Sequence, residues 1–437
     1  MAETTIEKTS SEGLVRAIGR WSLAALVVNC IIGSGVFGLP SVLAKLLGRT
    51  SVAAVLLSAV AVGVVMACFA EVASRFSETG GPYLYAQAAF GRFMGIQVAW
   101  LIWIVRLTAC AANANLFVTY LGAFWPGATT SVMRLAILTL LVGFLAAINI
   151  RGVKAGTQVS TLFTVAKLSS LGFVCVIGAF YLISHHSPAP VAAQPSASQW
   201  AHAIVLIIFA YGGFEAALIS AGEAKDPRRD IPFGLFAALI TCALIYGLIQ
   251  WVVVGVLPDP GHSERPLADV AHIAIGSSGA MLTALGALFS IYGYMSGNIL
   301  TTPRITFALA ERGDFPAFFA RIHARFHTPY VSILIFALLL WMLALFGSFA
   351  GNATLSAGSR LFYYGVVCAA LPALRKKSPG QALIHLPGGT FLGILGALIC
   401  AALLTQIEYN QSLIVLAAVA VAFFNWMAVR RRKIEHV

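Results

Sequence analysis

The sequence has 437 residues, of which 59% are hydrophobic and only 10% charged, and its mean hydropathy is +0.88. Because an ordinary soluble domain is about 25% charged, this composition excludes a soluble protein and indicates one that crosses a membrane several times. The formal net charge of +12 would favour nucleic-acid binding in a soluble chain. Here the basic residues lie in short segments between apolar runs, as in membrane topologies, and no nucleic-acid partner is expected.

Apolar runs of about 20 residues, long enough to cross a bilayer as an α-helix, recur along the whole chain. We predict an all-α membrane protein with about twelve transmembrane helices. The predicted spans are 21–44, 51–74, 93–123, 133–150, 157–183, 199–221, 233–256, 278–301, 331–349, 354–374, 389–407 and 411–430.

The distribution of Lys and Arg predicts the orientation, because cytoplasmic loops carry an excess of both. With an even number of spans, 21 of these residues fall on the side of the two termini and four on the other side. We therefore expect both termini in the cytoplasm and the chain in the inner or plasma membrane. The three remaining basic residues, Arg106, Lys167 and Arg360, fall within spans.

Seven cysteines lie inside the apolar runs, and none has CxxC spacing. They are expected to be small buried side chains and to form neither a disulfide framework nor a metal site. No HExxH, GxSxG or P-loop motif is present, so an intramembrane enzyme is not expected, and neither is a cofactor.

Two of the predicted spans are interrupted by glycines near mid-membrane. Span 1 contains IIGSGVFGLP at 31–40, and span 6 contains IIFAYGGFEAALISAGEAKDP at 207–227. An interrupted backbone in hydrocarbon is tolerated where it lines a cavity. Two interrupted helices at corresponding positions of two halves indicate a secondary transporter with inverted repeats. The alternative is that these glycines only allow close helix packing.

Interrupted helices offer the groups that bind an amino acid. The N–H groups at the start of a half-helix bind a carboxylate, and unwound carbonyls accept hydrogen bonds from an ammonium. We expect Gly33, Ser34 and Gly35 to contact the substrate carboxylate. The carbonyls expected to face the substrate ammonium are those of Ile32, Phe209, Ala210 and Gly212.

Several stretches resemble one known family when they are taken in order. They are IIGSGVF in span 1, AEVASRFSETGGPYLYAQAAFG after span 2, NIRGVKAGTQVSTLFTVAKL entering span 5, FAYGGFEAALISAGEAKDPRRDIP through span 6, MSGNILTTPRITFALAERGDFP ending span 8, and HARFHTP after it. On these stretches the sequence resembles the amino acid–polyamine–organocation (APC) superfamily. Its motifs are most similar to those of the L-type amino acid transporters and their bacterial relatives.

The resemblance implies the five-plus-five inverted repeat of the leucine-transporter type, with helices 1 and 6 broken and two helices appended. The implied organisation is a cytoplasmic tail at 1–20, a first repeat at 21–183, a second repeat at 199–374, helices 11 and 12 at 389–430, and a cytoplasmic tail at 431–437. The heteromeric members carry a cysteine after span 3. That loop reads PGATTSVMR here, so no disulfide-linked heavy subunit is expected.

The resemblance also assigns roles to three residues. Phe209 matches an aromatic gate over the substrate, and Tyr246 matches a supporting tyrosine, although ordinary packing is the commoner role of an aromatic side chain. Lys167 takes the place where sodium-coupled relatives hold an ion. Its fixed charge would replace sodium, and it could carry a coupled proton. The alternative is a structural lysine that ties two helices together.

Two arginines in spans are unusual. The spacings around Arg106 and Arg360 resemble those in a cystine/glutamate-exchanging member, and Asn298 stands where cation-selective relatives use tryptophan. Guanidinium groups suit carboxylates, which would fit an acidic substrate. A neutral substrate stays open as well. The alternative places Arg106 in a pair with a carboxylate such as Glu215, and Arg360 at the outer rim.

Three carboxylates complete the prediction. Glu215, one turn past the second interruption, is either a proton-linked switch or a hydrogen-bond partner of the broken backbone. Glu71 and Glu223 are expected nearer the cytoplasmic face, in ion pairs with Arg or Lys.

The sequence therefore predicts a sodium-independent amino-acid transporter that works by alternating access, as an exchanger or with proton coupling. Its expected partners are a small-molecule amino acid, the lipid bilayer and, as a candidate coupled ion, the proton. A sensor and a carrier of another organocation on the same fold are the alternatives. A channel is less favoured because no continuous polar stripe runs through several spans.

Overall fold

A computed structural model of the chain describes residues 19–76, 81–152, 157–185, 194–218, 224–407 and 409–430. Within these ranges the protein is helical and contains no β-strand. The α-helices are α1 (Arg20–Ile31), α2 (Gly35–Leu47), α3 (Ser51–Ala73), α4 (Pro82–Phe90), α5 (Arg92–Leu121), α6 (Ser131–Ile150), α7 (Thr157–Ser184), α8 (Ala197–Tyr211), α9 (Phe214–Ala217), α10 (Pro227–Val256), α11 (Pro266–Ile275), α12 (Ser277–Glu311), α13 (Tyr330–Phe346), α14 (Phe349–Lys377), α15 (Gly389–Leu404) and α16 (Tyr409–Val429).

These helices confirm the predicted all-α membrane architecture. Nine helical stretches of the described chain are long and apolar enough to cross a membrane, and the first, Gly35–Ala73, comprises α2 and α3. The predicted spans that are not among the nine are shorter: α13 and α15 have 17 and 16 residues, and α1 is the first half of an interrupted helix. The predicted tails lie outside the described residues, except for positions 19 and 20.

The first interruption separates α1 from α2. Ile32 leaves helical geometry with φ −69° and ψ 99°, while its N–H still donates to the carbonyl of Val28. The helix resumes at Gly35, and the carbonyl of the preceding Ser34 accepts from the N–H groups of Phe37 at 3.0 Å and Gly38 at 3.1 Å. The chain therefore leaves the helix for three residues, 32–34, in the apolar run where the sequence places Gly-Ser-Gly.

The second interruption separates α8 from α9. Gly212 is extended, with φ −75° and ψ 158°, and Gly213 has φ +117°. That φ lies where side chains are disfavoured, and a Cβ on Gly213 would lie 2.2 Å from the carbonyl oxygen of Cys30. The glycine pair thus lets the two interrupted helices touch backbone to backbone.

The interrupted helices lie inside a ring of longer ones. α1 packs against α10 and α9, and α2 packs against α8. α5 contacts both α12 and α14, while α7 contacts α12 and α10. Both interruptions are therefore enclosed by α5, α7, α12 and α14, which supply the remaining walls of the site.

An ionic cluster ties the appended α15 to the rest of the bundle. Glu71, at the end of α3, is fully buried and accepts from Arg375 Nε and Nη2 at 2.7 and 2.6 Å. It also accepts from Arg75 Nη2 at 3.3 Å and from the Leu386 N–H at 2.9 Å. The predicted pairing of Glu71 with basic residues is confirmed, whereas Glu223 lies outside the described residues.

Candidate functional site

The two interruptions open onto one cavity of about 330 Å³, at the small end of the range for ligand pockets. Most of the predicted site residues line it. They are Gly33, Ser34, Gly35, Arg106, Lys167, Phe209, Ala210, Gly212, Glu215, Asn298 and Arg360. Ile32 and Tyr246 are the two predicted residues that do not.

Lys167 on α7 binds the carbonyl end of α1. Its Nζ donates to the carbonyl oxygens of Asn29 at 2.9 Å and Ile32 at 2.8 Å. The Asn29 carbonyl belongs to the last turn of α1 and the Ile32 carbonyl follows that turn, where intrahelical donors run out. The ammonium therefore replaces the missing donors, and Lys167 has no carboxylate within ion-pair distance among the described residues. A carbonyl oxygen has two lone pairs, so the Ile32 carbonyl can accept from Lys167 and from a second donor. Its predicted contact with a substrate ammonium stays a prediction.

Tyr246 supports both interruptions from behind. Its hydroxyl lies 3.3 Å from the carbonyl oxygen of Ile31 and 3.1 Å from that of Ala210. One side chain on α10 therefore bridges the ends of α1 and α8, and the position is buried. Its contacts are to the backbone that forms the cavity.

Glu215 is the centre of a buried network on the other side. Its Oε2 accepts from the Gly213 N–H at 2.9 Å and from the Tyr364 hydroxyl at 3.0 Å. Its Oε1 accepts from the Tyr363 hydroxyl at 2.8 Å and lies 3.6 Å from Arg360 Nε. The carboxylate thus satisfies a backbone N–H of the second interruption and pairs with an arginine on α14.

This network corrects the alternative placement of the two arginines. Arg360 is only 4% exposed, so it does not lie at a rim, and it is Arg360, not Arg106, that pairs with Glu215. Arg360 also donates from Nη1 to the Phe209 carbonyl at 3.3 Å. A Cβ on Gly212 would lie 1.8 Å from that Nη1, so the guanidinium takes the space a side chain would fill.

Arg106 has a different environment. Its Nη1 donates to Asn298 Oδ1 at 3.1 Å, and its buried Nε has no hydrogen-bond partner within the described ranges. Asn298 in turn donates from Nδ2 to the Tyr294 carbonyl at 3.0 Å. The hydrogen bond between Arg106 and Asn298 therefore joins two residues that the resemblance assigns to the substrate site.

The cavity is closed at one end and open at the other. Beside α2, the Phe209 ring packs edge to face against Phe349 with centroids 6.3 Å apart, and a Cβ on Gly38 would lie 2.6 Å from the Phe349 ring. At the opposite end Gly297 and Thr301 of α12 line the cavity and are exposed. The opening therefore faces the membrane side on which α1 begins and α12 ends.

Sequence reasoning missed several residues of the site. Asn113 lines the cavity, and its Oδ1, like the Ser34 hydroxyl, is buried with no hydrogen-bond partner in the described part of the chain. A signal was present, because Asn113 follows Arg106 by two helical turns in an otherwise apolar segment. Tyr363 and Tyr364 carried no signal, because aromatic residues are common in spans.

A polytopic helical protein with a polar cavity at two helix interruptions has the build of a membrane transporter. The chain belongs to the amino acid permease family, to which residues 18–428 match. This family match confirms the predicted resemblance to APC-type amino acid transporters.

Three curated proteins of Bacillus subtilis (strain 168) are similar along most of their length. The serine/threonine exchanger SteT is 29% identical over 383 residues, which cover 85% of this chain and 86% of SteT. A putative arginine/ornithine antiporter is 29% identical over 351 residues, or 72% of this chain and 74% of its own. A methylthioribose transporter is 25% identical over 422 residues, or 91% and 90%.

Proposed function

We propose that this protein is a sodium-independent amino-acid transporter of the inner or plasma membrane that works by alternating access, as an exchanger or with proton coupling. The observation that carries the proposal is that both helix interruptions open onto the same 330 Å³ cavity. The relatives named as an amino-acid exchanger and antiporter support the substrate class.

The carboxylate of the amino acid is placed at the start of α2. The first N–H groups of a helix have no intrahelical acceptor, and the helix dipole favours a negative charge there. Gly35 begins α2 and lines the cavity together with Gly33 and Ser34. The Ser34 hydroxyl, buried with no partner among the described residues, adds a donor for the same carboxylate.

Sodium independence is proposed from the contacts of Lys167. Two backbone carbonyls at the end of an interrupted helix are the kind of oxygen ligands that coordinate a cation in transporters of this architecture. Here the Lys167 ammonium donates to both, at 2.9 and 2.8 Å. An ammonium that is part of the chain and donates to these oxygens leaves no role for sodium in organising the end of α1.

The contacts of Glu215 favour a structural role over a proton switch. Its carboxylate holds the Gly213 N–H and is held by two tyrosine hydroxyls and Arg360. Every one of these partners stabilises the charged form. We therefore assign Glu215 to the second interruption, and leave Lys167 as the candidate carrier of a coupled proton.

The orientation and the internal repeat belong to the same proposal. The excess of Lys and Arg on the side of the termini supports a cytoplasmic location for both ends. The open end of the cavity would then face the cytoplasm. The repeats at 21–183 and 199–374 each begin with an interrupted helix, which supports their equivalence.

One relative favours a second candidate substrate. The methylthioribose transporter matches 91% of this chain, and a thiosugar has neither a carboxylate nor an ammonium. Such a substrate would not use the N–H groups at the start of α2 or the cationic residues of the cavity. We therefore keep it as the alternative that the experiment below distinguishes.

Native Cys30 provides the test. It lines the cavity and is partly exposed, whereas the other six cysteines are buried. A maleimide should modify Cys30 in the detergent-solubilised protein, and Cys30→Ser should abolish the labelling. A transported amino acid at ten times its Kd should slow the reaction about tenfold, since only the unoccupied fraction reacts.

The same experiment identifies the result that contradicts the proposal. Amino acids and methylthioribose are each tested in a choline buffer. The amino acids are tested again in a sodium buffer, and sodium without an amino acid is the control. Labelling that no amino acid slows, or that slows only in sodium or with methylthioribose, would contradict an amino-acid site at the interruptions.

A further inference from the structure

We propose that Arg106 and Asn298 form a subsite for a second carboxylate, so that the substrate class is amino acids with an acidic side chain. This inference rests on the proposed function, because it assigns only the side-chain end of the same site. Three observations carry it: the charge balance of the cavity, the incomplete bonding of Arg106, and the short path from Arg106 to the first interruption.

The charges that line the cavity do not balance. Among the described lining residues there are three cationic side chains, Lys167, Arg106 and Arg360, and one carboxylate, Glu215. Glu215 and Arg360 form a pair. Two formal positive charges therefore remain, and a positive charge in a cavity of low dielectric constant is costly unless an anion compensates it.

The two remaining cations differ in how fully they are bonded. Lys167 donates to two backbone carbonyls at the end of α1. Arg106 has five N–H donors, and within the described chain one donates to an amide oxygen, while the buried Nε has no partner. A neutral amide does not compensate the guanidinium charge, so Arg106 keeps the donors and the charge that a carboxylate fork requires.

Asn298 is oriented so that it holds Arg106 without neutralising it. Its Nδ2 donates to the Tyr294 carbonyl at 3.0 Å, which leaves Oδ1 facing Arg106 Nη1 at 3.1 Å. The guanidinium is thereby fixed at the cavity wall. A fixed donor set loses less conformational entropy when a ligand binds, as expected of a binding residue.

The subsite lies close to the proposed site of the α-carboxylate. Tyr294 connects them, because its carbonyl accepts from Asn298 and its ring lies 3.8 Å from the position of a Cβ on Gly33. Arg106 and Gly33 line the same small cavity. One molecule with two carboxylates a few bonds apart can therefore reach both, as the side chains of aspartate and glutamate allow.

The test compares matched ligands in proteoliposome exchange. Glutamate and aspartate are measured as competitors against glutamine and asparagine, which have the same shape without the side-chain charge, and against lysine. A charge-assisted contact predicts that each acid competes about ten- to a hundredfold better than its amide, and lysine should compete least.

Two variants assign this preference to the subsite. Arg106→Gln should remove the preference for glutamate over glutamine and spare glutamine itself. Asn298→Asp should do the same by placing a protein carboxylate against Arg106, and it decides the case if Arg106→Gln does not fold. Arg304→Gln, which removes an exposed arginine of α12 outside the cavity lining, is the matched control and should keep the preference.

The outcomes separate the inference from the proposed function. If glutamine and glutamate compete equally while amino acids are exchanged, the acidic subsite is wrong and the transporter stands. If the preference for acids survives both Arg106→Gln and Asn298→Asp, the side chain is bound elsewhere and the inference is overturned. If no amino acid competes at all, the proposed function itself fails.

Discussion

Lys167 is the residue on which the proposed sodium independence depends. The residue is 8% exposed, and its ammonium donates to the carbonyls of Asn29 and Ile32. Replacing it by alanine removes two charge-assisted hydrogen bonds, and a buried acceptor left without a donor, such as the carbonyl of Ile32, costs about 1–3 kcal/mol. Since about 1.4 kcal/mol corresponds to a factor of ten, we expect exchange in Lys167→Ala to fall by at least ~10-fold.

The measurement is amino-acid exchange in proteoliposomes, with the folded state checked by gel filtration and thermal unfolding. Lys45→Ala, which removes an exposed lysine at the end of α2, is the control and should behave like the parent. Near-normal exchange in Lys167→Ala would show that the lysine only ties α7 to α1.

At this scale the sequence predicts which residues meet, but not all of their pairings. The Gly-Ser-Gly and Gly-Gly motifs predict where the helices are interrupted. Charged residues within apolar spans are few, so the sequence also singles out Lys167, Arg106, Arg360 and Glu215. The partner of Glu215 was not predictable, because both arginines have the same chemistry. The choice depends on how α5 and α14 are rotated about their axes, which is set by packing along their whole length.

Gly213 determines how closely the two interrupted helices approach. An L-residue at φ +117° is strained, at about 1–2 kcal/mol for a left-handed conformation. A Cβ there would also lie 2.2 Å from a backbone oxygen of α1, which cannot rotate away. We expect Gly213→Ala to lower the apparent melting temperature by about 3 °C or more and to abolish protection of Cys30 by substrate.

Gly143→Ala is the matched control for this substitution. Gly143 lies inside α6, and a Cβ there would have nothing within 4 Å. Alanine is the better helix former, by about 0.5–1 kcal/mol, so this variant should be as stable as the parent or slightly more so. Equal melting temperatures and equal Cys30 protection for both variants would show that the close contact at Gly213 is dispensable.

The elements themselves were largely predictable, for a simple physical reason. A span must be apolar over the thickness of the bilayer, so hydropathy locates α3, α5, α6 and α10 to within a few residues except at the start of α10. It fails where a helix leaves the bilayer. α12 continues to Glu311 instead of ending at residue 301, because its last turns, TPRITFALAE, mix polar with apolar residues and helix formation does not depend on lipid. α4 and α11 were missed because each is too short to span.

At the scale of the whole molecule, the site has one open and one closed end. Phe209, Phe349 and Gly38 close it beside α2, while Gly297 and Thr301 leave it open at the other end. The proposed alternating access requires that the closed end open and the open end close. Gly213 contacts Cys30 where the two interrupted helices meet, and the Phe349 ring of α14 packs on Gly38 of α2. We therefore expect the interrupted helices to move relative to α5 and α14.

Proteoliposome counterflow measures directly whether the protein transports amino acids without sodium. Vesicles preloaded with an unlabelled amino acid receive the radiolabelled one outside, in sodium or in choline, with and without an inward proton gradient. Empty vesicles and Lys167→Ala vesicles are the controls. We predict uptake that is the same in sodium and choline and that is accelerated by internal amino acid or by the proton gradient. Uptake that requires sodium, or no uptake of any amino acid by protein that is folded and inserted, would contradict sodium-independent amino-acid transport.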